Sequence, residues 1–444
     1  MRIIKIGGSI QKDPNDYHLI AEKIKKFTDD KVIVVTSALK NVTNELLQVT
    51  NEPEKAVSKV SEIIDRHYDM LSKVSNGKVF EEGFQLLSKV TDELAKVAWA
   101  IGMLGENNPR LRDYVLSFGE RMAVIILGEA LRSYGIDARP ITEPPLITDS
   151  NYGEANVLLP ETKERLHALL ESVKSKVVVV PGFIGTTPEG KYTTIGRGGS
   201  DYSATVIAKA LNVKEVRLVT EVPGIMTGDP RKFKGAKTIP RLSLEEAVEL
   251  SQLGAKRLHP KTFDPVFDTD IEVYVEGLYD EGFTVVKGSC TPSDVLKGIA
   301  VVEGLTLIDV ESTRMVGRIG SAAAVMTEAQ KANVNIIAMS QPASETSIQL
   351  VVSSSDAKKL QERLASLKEF VKDISAIDVD AVSIVGCGLQ RPEIASKVIS
   401  SAAAYNPISV SRGMKRVSLT FIAERGQAVE LAEELHEVVL KWIN

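Results

Sequence analysis

The chain has 444 residues, of which 43% are apolar and 25% charged, with a formal net charge of −5. That balance is the one of an ordinary globular protein, and at about 100–200 residues per domain the length predicts two to four domains. Lys and Arg form no basic block and no apolar run approaches the ~18 residues of a membrane span, which excludes nucleic-acid and membrane partners.

The N-terminus, Met1-Arg-Ile-Ile-Lys-Ile, breaks into glycine after six residues, too early for the apolar stretch of a signal peptide. Lys5-Ile-Gly-Gly-Ser follows it, and glycines at a strand end let backbone N–H groups approach a phosphate beside a lysine charge. Taken alone, such a turn is as often a plain tight loop, and its spacing excludes a P-loop. Further β-branched runs at Val32–Thr36, Val177–Val180, Val216–Thr220 and Ile271–Val275 suit strands buried on both faces of a mainly parallel sheet. Residues 54–102 read as helical throughout, and Ser117-Phe-Gly-Glu-Arg-Met-Ala reads as the start of a helix with Glu120 in its first turn. There Glu120 serves either a ligand or the helix dipole.

Pro181-Gly-Phe-Ile-Gly and Thr194-Ile-Gly-Arg-Gly-Gly-Ser-Asp-Tyr-Ser-Ala gather glycines and polar side chains just before an apolar helix. A helix N-terminus behind such a loop is an anion site, and Ser200 or Asp201 also suits an N-cap. Thr220-Glu-Val-Pro-Gly-Ile-Met-Thr-Gly-Asp-Pro-Arg begins at a strand's carboxyl end, where open α/β sheets bind ligands. Ser243 and Glu246 form a capping-box pair for a helix reaching about Leu253. His259 reads as a structural residue ahead of Pro260 rather than a general base. The five histidines lack zinc-ligand spacing. Cys290 and Cys387, far apart in sequence, are expected to stay reduced in the cytoplasm.

Beyond about residue 295 the pattern changes to a strand–helix–strand–strand–helix unit used twice. The first takes Leu305–Val310, Ser321–Lys331, Val334–Met339, Ile348–Val352 and Ala357–Lys368. The second takes Val382–Val385, Pro392–Tyr405, Ile408–Val410, Val417–Ile422 and Gln427–Lys441.

Together these stretches resemble the aspartokinase branch of the amino acid kinase superfamily over essentially the whole chain. The resemblance implies an α/β fold: a three-layer αβα domain with a mainly parallel sheet over 1–290, then two βαββαβ (ACT, ferredoxin-like) domains over 304–378 and 379–444, with 291–303 completing the second. It implies transfer of the ATP γ-phosphoryl, with Mg²⁺, to the side-chain carboxylate of L-aspartate, giving 4-phospho-L-aspartate on the route to lysine, threonine and methionine. Lys5 then serves the phosphates, Asp201 orients it, and Lys256 assists. Gly7, Gly8, Ser9, Thr220, Glu221, Met226, Asp229 and Arg231 line the nucleotide. Arg197 holds a substrate carboxylate and Glu120 the α-ammonium, with Ser37, Thr43, Asn44 and Ser200 nearby. No side chain is assigned to the metal.

Departures from the family pattern are Lys5-Ile-Gly-Gly-Ser for the usual Lys-Phe-Gly-Gly-Thr-Ser, Glu221 for aspartate, Met226 for tyrosine, and Ser411-Arg-Gly-Met-Lys-Arg for a serine-rich run. Effector contacts with lysine or threonine are expected at Met315, Ser321, Ser344, Glu345 and Thr346, and a homodimer or higher homo-oligomer through the ACT domains. The rival for the tail is a dimer interface without sensing. For the whole chain, the rivals are an N-acetylglutamate kinase and a non-catalytic sensor.

Overall fold

The protein is described from a computed structural model covering residues 1–253, 258–291, 295–367, 371–413 and 415–443. It divides into two compact units. The N-terminal unit holds Met1–Ile225 and Thr238–Val248 and continues to Ser289; the C-terminal unit holds Met226–Lys237, the helix end from Glu249, and the chain from Cys290.

The N-terminal unit opens with β1 (Arg2–Ile6), α1 (Pro14–Lys25), β2 (Val32–Thr36), α2 (Val42–Asn51), α3 (Ala56–Val74), α4 (Gly77–Leu104) and α5 (Pro109–Ser133). It continues through β3 (Ala138–Pro140), α6 (Leu159–Ser172), β4 (Val177–Pro181), β5 (Ile184–Thr186), β6 (Tyr192–Thr194), α7 (Gly199–Leu211) and β7 (Glu215–Thr220). Last come β8 (Arg241–Leu242), the first part of α8 (Leu244–Leu253), β9 (Glu272–Gly277) and β10 (Phe283–Val286). Eight strands form one sheet in the order β3-β4-β2-β1-β7-β9-β10-β8, parallel except where β10 runs against β9.

Alternation along each strand decides what it packs against. Ile4, Ile6, Val32, Val34, Val177 and Val179 join the core built with α1 to α5, while α7 packs on β1, β2 and β7. Both faces are therefore covered, which is why β2 and β4 read as unbroken apolar runs.

Two helix expectations change. The run 54–102 is broken between α3 and α4, where Gly77 takes a left-handed φ of 52°. The helix of Glu120 starts not at Ser117 but at Pro109, with the Asn108 side chain capping the Leu111 N–H. Glu120 thus lies about three turns inside α5, beyond the reach of the helix dipole. The Asn-Pro step carried the real start signal.

The C-terminal unit comprises β11 (Gly298–Glu311), α9 (Ser321–Lys331), β12 (Ala338–Ser340), β13 (Ser347–Ser353), α10 (Ser354–Leu364), β14 (Asp373–Val385), α11 (Pro392–Ala403), β15 (Ser409–Arg412), β16 (Ser418–Glu424) and α12 (Arg425–Ile443). Its six strands form one antiparallel sheet, β12-β13-β11-β14-β16-β15. The two central strands are each used twice. Leu305–Glu311 of β11 pairs with β13 on one side and with Val379–Asp373 of β14 on the other. Gly298–Val302 pairs instead with Val385–Ala381, and that half of β14 also pairs with β16. Two βαββαβ units are thereby interlocked through a shared strand pair. Among the described residues no helix is long and apolar enough to cross a membrane.

The cysteine expectation is overturned. Cys290 and Cys387 form a disulfide with Cα atoms 5.6 Å apart. The Gly298–Val385 pairing, extended by Lys297 N–H donating to the Val385 carbonyl, lays the segment before β11 beside the end of β14. A separation of 97 positions hid this proximity. Reduction, or Cys387→Ser, is expected to cost about 2–4 kcal/mol through the freed loop. Thermal melts check this: reduced wild type and Cys387→Ser should coincide below the oxidised protein. Coincidence of all three would show that the bridge adds nothing.

Candidate active site

Four parallel strands end side by side at their carboxyl edges: β1 at Ile6, β2 at Thr36, β4 at Pro181 and β7 at Thr220. The loops leaving these ends carry most of the expected site residues. Lys5, near the end of β1, reaches Asp201 in the first turn of α7, with Nζ 2.7 Å from Oδ1. Both side chains are mostly buried, so the pair holds its geometry with little solvent screening.

The glycines are there for close approach. A Cβ on Gly8 would overlap the Ala38 carbonyl oxygen, and one on Gly7 would sit 3.4 Å from Lys5 Nζ. A Cβ on Gly182 would lie 2.9 Å from Ser200 Cα. Gly198, at φ 69°, caps α7, and a Cβ there would strike His259. His259 Nδ1 in turn accepts the Lys261 N–H at 3.2 Å, a capping role and not that of a base.

Glu120 enters the same cluster from α5. Ala38 links them: its carbonyl faces Gly8, and its N–H donates to Glu120 Oε1 at 3.1 Å. The carboxylate is only 2% exposed and Oε2 has no hydrogen-bond partner. Burial pushes its pKa up to about 8, against the pull of the Ala38 N–H. An unpaired buried carboxylate oxygen is costly, and a cationic ligand is the chemistry that would relieve it.

Arg197 is exposed in the loop before α7 and makes no side-chain hydrogen bond or ion pair among the described residues. Ser200 lies in the first turn of α7. Ser37 follows β2, its N–H bonded to the Ile6 carbonyl at 3.2 Å. Thr43 and Asn44 open α2, Ser9 lies in the short helical turn after Gly8, and Thr220 and Glu221 lie at and just past the end of β7. Met226, Asp229 and Arg231 belong to the C-terminal unit. There the Arg231 side chain grips both oxygens of Asp229, holding that carboxyl down to about 2. Lys256 lies outside the described residues.

Of the expected effector residues, Met315 is buried in the core with Val310, Val325 and Leu350, so its side chain is not presented to a ligand. The Ser321 hydroxyl donates to the Arg318 carbonyl. Glu345, at φ 54°, accepts the Gly317 N–H at 2.7 Å, and Thr346 accepts the Ser312 N–H through its carbonyl. Ser344 and Thr346 share a hydroxyl contact at the surface. This loop cluster is thus assembled without Met315.

Two residues were missed in the sequence. Gln11, 1% exposed, donates to the carbonyls of Gly7 and Ser37 and accepts from the Thr36 hydroxyl, tying the first loop to the second. Asp113, fully buried on α5, accepts from the Gly153 N–H and from both the N–H and hydroxyl of Thr194, anchoring the entry to the glycine loop. Only the position of Gln11, four residues after Gly7, hinted at such a role.

A family model described as the amino acid kinase family matches residues 1–277. The chain belongs to the amino acid kinase family. An ACT domain model matches residues 308–366 of this family member, within its C-terminal unit. The chain is 29% identical to chloroplastic aspartokinase 2 of Arabidopsis thaliana, over 98% of its own length and 83% of the relative's. Its fold is similar to that of E. coli aspartokinase III in complex with aspartate and ADP, with TM-score 0.80 and 26% identity, covering 98% and 99% of the two chains. A second structure of that E. coli enzyme, with lysine and aspartate, gives TM-score 0.83 at 25% identity, covering 99% of each chain.

Proposed function

We infer that this chain is an aspartate kinase, transferring the γ-phosphoryl of MgATP to the side-chain carboxylate of L-aspartate. One observation carries the choice of substrate: the free carboxylate oxygen of buried Glu120, joined through Ala38 to the Gly7–Gly8 loop beside Lys5. A phosphate-binding loop next to a buried acid suits a substrate with a free ammonium group. An N-acetylated amine would leave that acid unpaired, which disfavours the N-acetylglutamate reading.

The acceptor carboxylate, which ordinarily titrates near about 3.9, is already ionised at neutral pH, so no general base is required. A carboxylate oxygen attacks the γ-phosphorus, the bond to the β-bridging oxygen breaks, and ADP leaves with the electron pair. Lys5 offsets the charge on the transferring group, and Asp201 aims it. Arg197 takes a substrate carboxylate in a bidentate pair, with Ser37, Thr43, Asn44 and Ser200 around it. Gly7, Gly8, Ser9, Thr220, Glu221, Met226, Asp229 and Arg231 serve the nucleotide, with Lys256 at its phosphates. Mg²⁺ would be held mainly by those phosphates and would help cancel their charge, since Asp201 is committed to Lys5 and Glu120 is matched to an ammonium.

The ACT pair is the reading for amino-acid feedback, with lysine or threonine as the ligand class at Ser321, Ser344, Glu345 and Thr346, and with the buried Met315 side chain set behind them. It also serves for homo-oligomer assembly, which the open edge strands β12 and β15 support. The layout proposed is 1–290, 304–378 and 379–444, with 291–303 completing the last unit and the β11–β14 strand pair shared across the line between the two ACT units, and the place of action is the cytoplasm.

The deciding experiment traps the acyl phosphate with hydroxylamine in the presence of ATP, comparing L-aspartate, L-glutamate and N-acetyl-L-glutamate. A signal with aspartate alone is expected. A signal with the acetylated substrate alone would overturn the assignment, and silence with all three would favour a non-catalytic sensor.

A further inference from the structure

The segment between β7 and β8 changes allegiance: Met226–Lys237 clusters with the C-terminal unit although the chain on either side belongs to the N-terminal one. Its anchor is Thr227, fully buried. The Thr227 N–H donates to the Lys237 carbonyl at 2.9 Å, and its carbonyl accepts the Ile299 N–H of β11 at 2.8 Å. Its hydroxyl accepts the Lys237 N–H at 3.1 Å and lies 3.0 Å from His436 Nε2 on α12.

With its oxygen already accepting, the hydroxyl has its proton free for the imidazole. Burial lowers the His436 pKa against the pull of Glu437, which keeps the ring neutral and able to accept. The same ring packs on Phe233 of the loop at 4.9 Å between centroids. A Cβ on Gly228 would sit 2.7 Å from the Phe233 ring and 3.4 Å from His436, so glycine is what lets the rings close beneath the loop. Lys232 adds an ion pair with Glu303.

A buried histidine is ordinarily core filling. This one holds, by one hydrogen bond and one ring contact, the loop that carries the Asp229–Arg231 fork.

We propose that His436 is a positioning residue for nucleotide binding, fixing Thr227 and thereby the turn that presents Asp229 and Arg231. The proposal rests on the assignment of those two residues to ATP.

The test uses the full-length protein with His436→Ala, which removes both contacts, and His436→Phe, which keeps the ring on Phe233 and deletes only the hydrogen bond. Val439→Ala, a core change on the same helix, serves as the stability control. Both His436 variants should raise the KM for ATP by roughly 5–10-fold, with the KM for aspartate unchanged, and should speed amide exchange in residues 226–237. Val439→Ala should lower Tm without moving the KM for ATP. If His436→Ala fails to fold, His436→Phe decides.

A lowered Tm with an unchanged KM for ATP in the His436 variants would reduce the residue to core filling and overturn the proposal. Asp229→Ala separates the two layers. If it raises the KM for ATP while the His436 variants do not, the proposal fails alone. If neither does, the nucleotide reading of the loop fails, and the proposal with it.

Discussion

Replacing Lys5 by alanine is expected to lower kcat by about 10³-fold, with the KM for aspartate little changed. The lysine is held at the first glycine loop by a short ion pair, 2.7 Å from Asp201, in surroundings that exclude most water. There a fixed positive charge works far harder on a developing phosphate charge than it would in bulk solvent. Removing it also strands the Asp201 carboxylate, so a loss of activity alone would not separate chemistry from folding. The double variant Lys5→Met with Asp201→Asn resolves this. It leaves no stranded charge, and it should recover most of the thermal stability that Lys5→Ala loses while recovering none of the rate. Hydroxylamine-trapped product and a thermal melt on the same samples give both readings. Rate recovered along with Tm would mean that Lys5 matters only structurally.

The second large effect is at Glu120, where stability and activity should move in opposite directions. In the folded protein this carboxyl keeps its proton up to about pH 8, whereas unfolded it ionises near the ordinary glutamate value of 4.5. Between those values unfolding releases a proton, so the ligand-free protein loses stability as pH rises through the window. Glu120→Gln removes that dependence. At pH 8 the variant should be more stable than wild type, by roughly 3–5 kcal/mol.

Its aspartate affinity should nevertheless be poorer by about 10²-fold, because the substrate ammonium loses its buried partner. For the wild type, the KM for aspartate should improve as pH rises toward about 8 and then level off, a slope absent from the glutamine variant. Scanning fluorimetry without substrate, and KM against pH, measure the two halves. A variant less stable than wild type at pH 8, or one with an unaltered aspartate KM, would remove Glu120 from the substrate site.

Much of the sheet was legible because its strands are buried on both faces and so spell themselves out: Val32–Thr36 and Val177–Pro181 are apolar for the same reason they are central. The glycine loops were legible because only glycine permits the close approaches at Gly8 and Gly198. What escaped depends on partners distant in sequence. Glu120 looked like a helix-start residue because its helix begins at Asn108-Pro109, without the usual run of acids, and its buried setting appears only when Ala38 arrives from the loop after β2. Asp113 and Gln11 are ordinary letters until the chain folds them onto Thr194 and Gly7. Cys290 meets Cys387 only through the register of β11 on β14. The burial of the Met315 side chain was not legible either, since pattern does not report which side of a turn faces inward.

The double use of β11 and β14 has a bearing on how the molecule comes into being. On the ribosome, Gly298–Val302 emerges early but must wait for a partner translated about 80 residues later. At about 5–20 residues per second that interval is on the order of 10 s, during which a strand edge stays open to wrong pairings. The sheet of the N-terminal unit, complete by Val286, is already available in that time. Synthesis therefore delivers the sheet of the N-terminal unit before that of the C-terminal unit can close. Cutting the chain between residues 378 and 379 would split β14 and deprive both fragments of a strand.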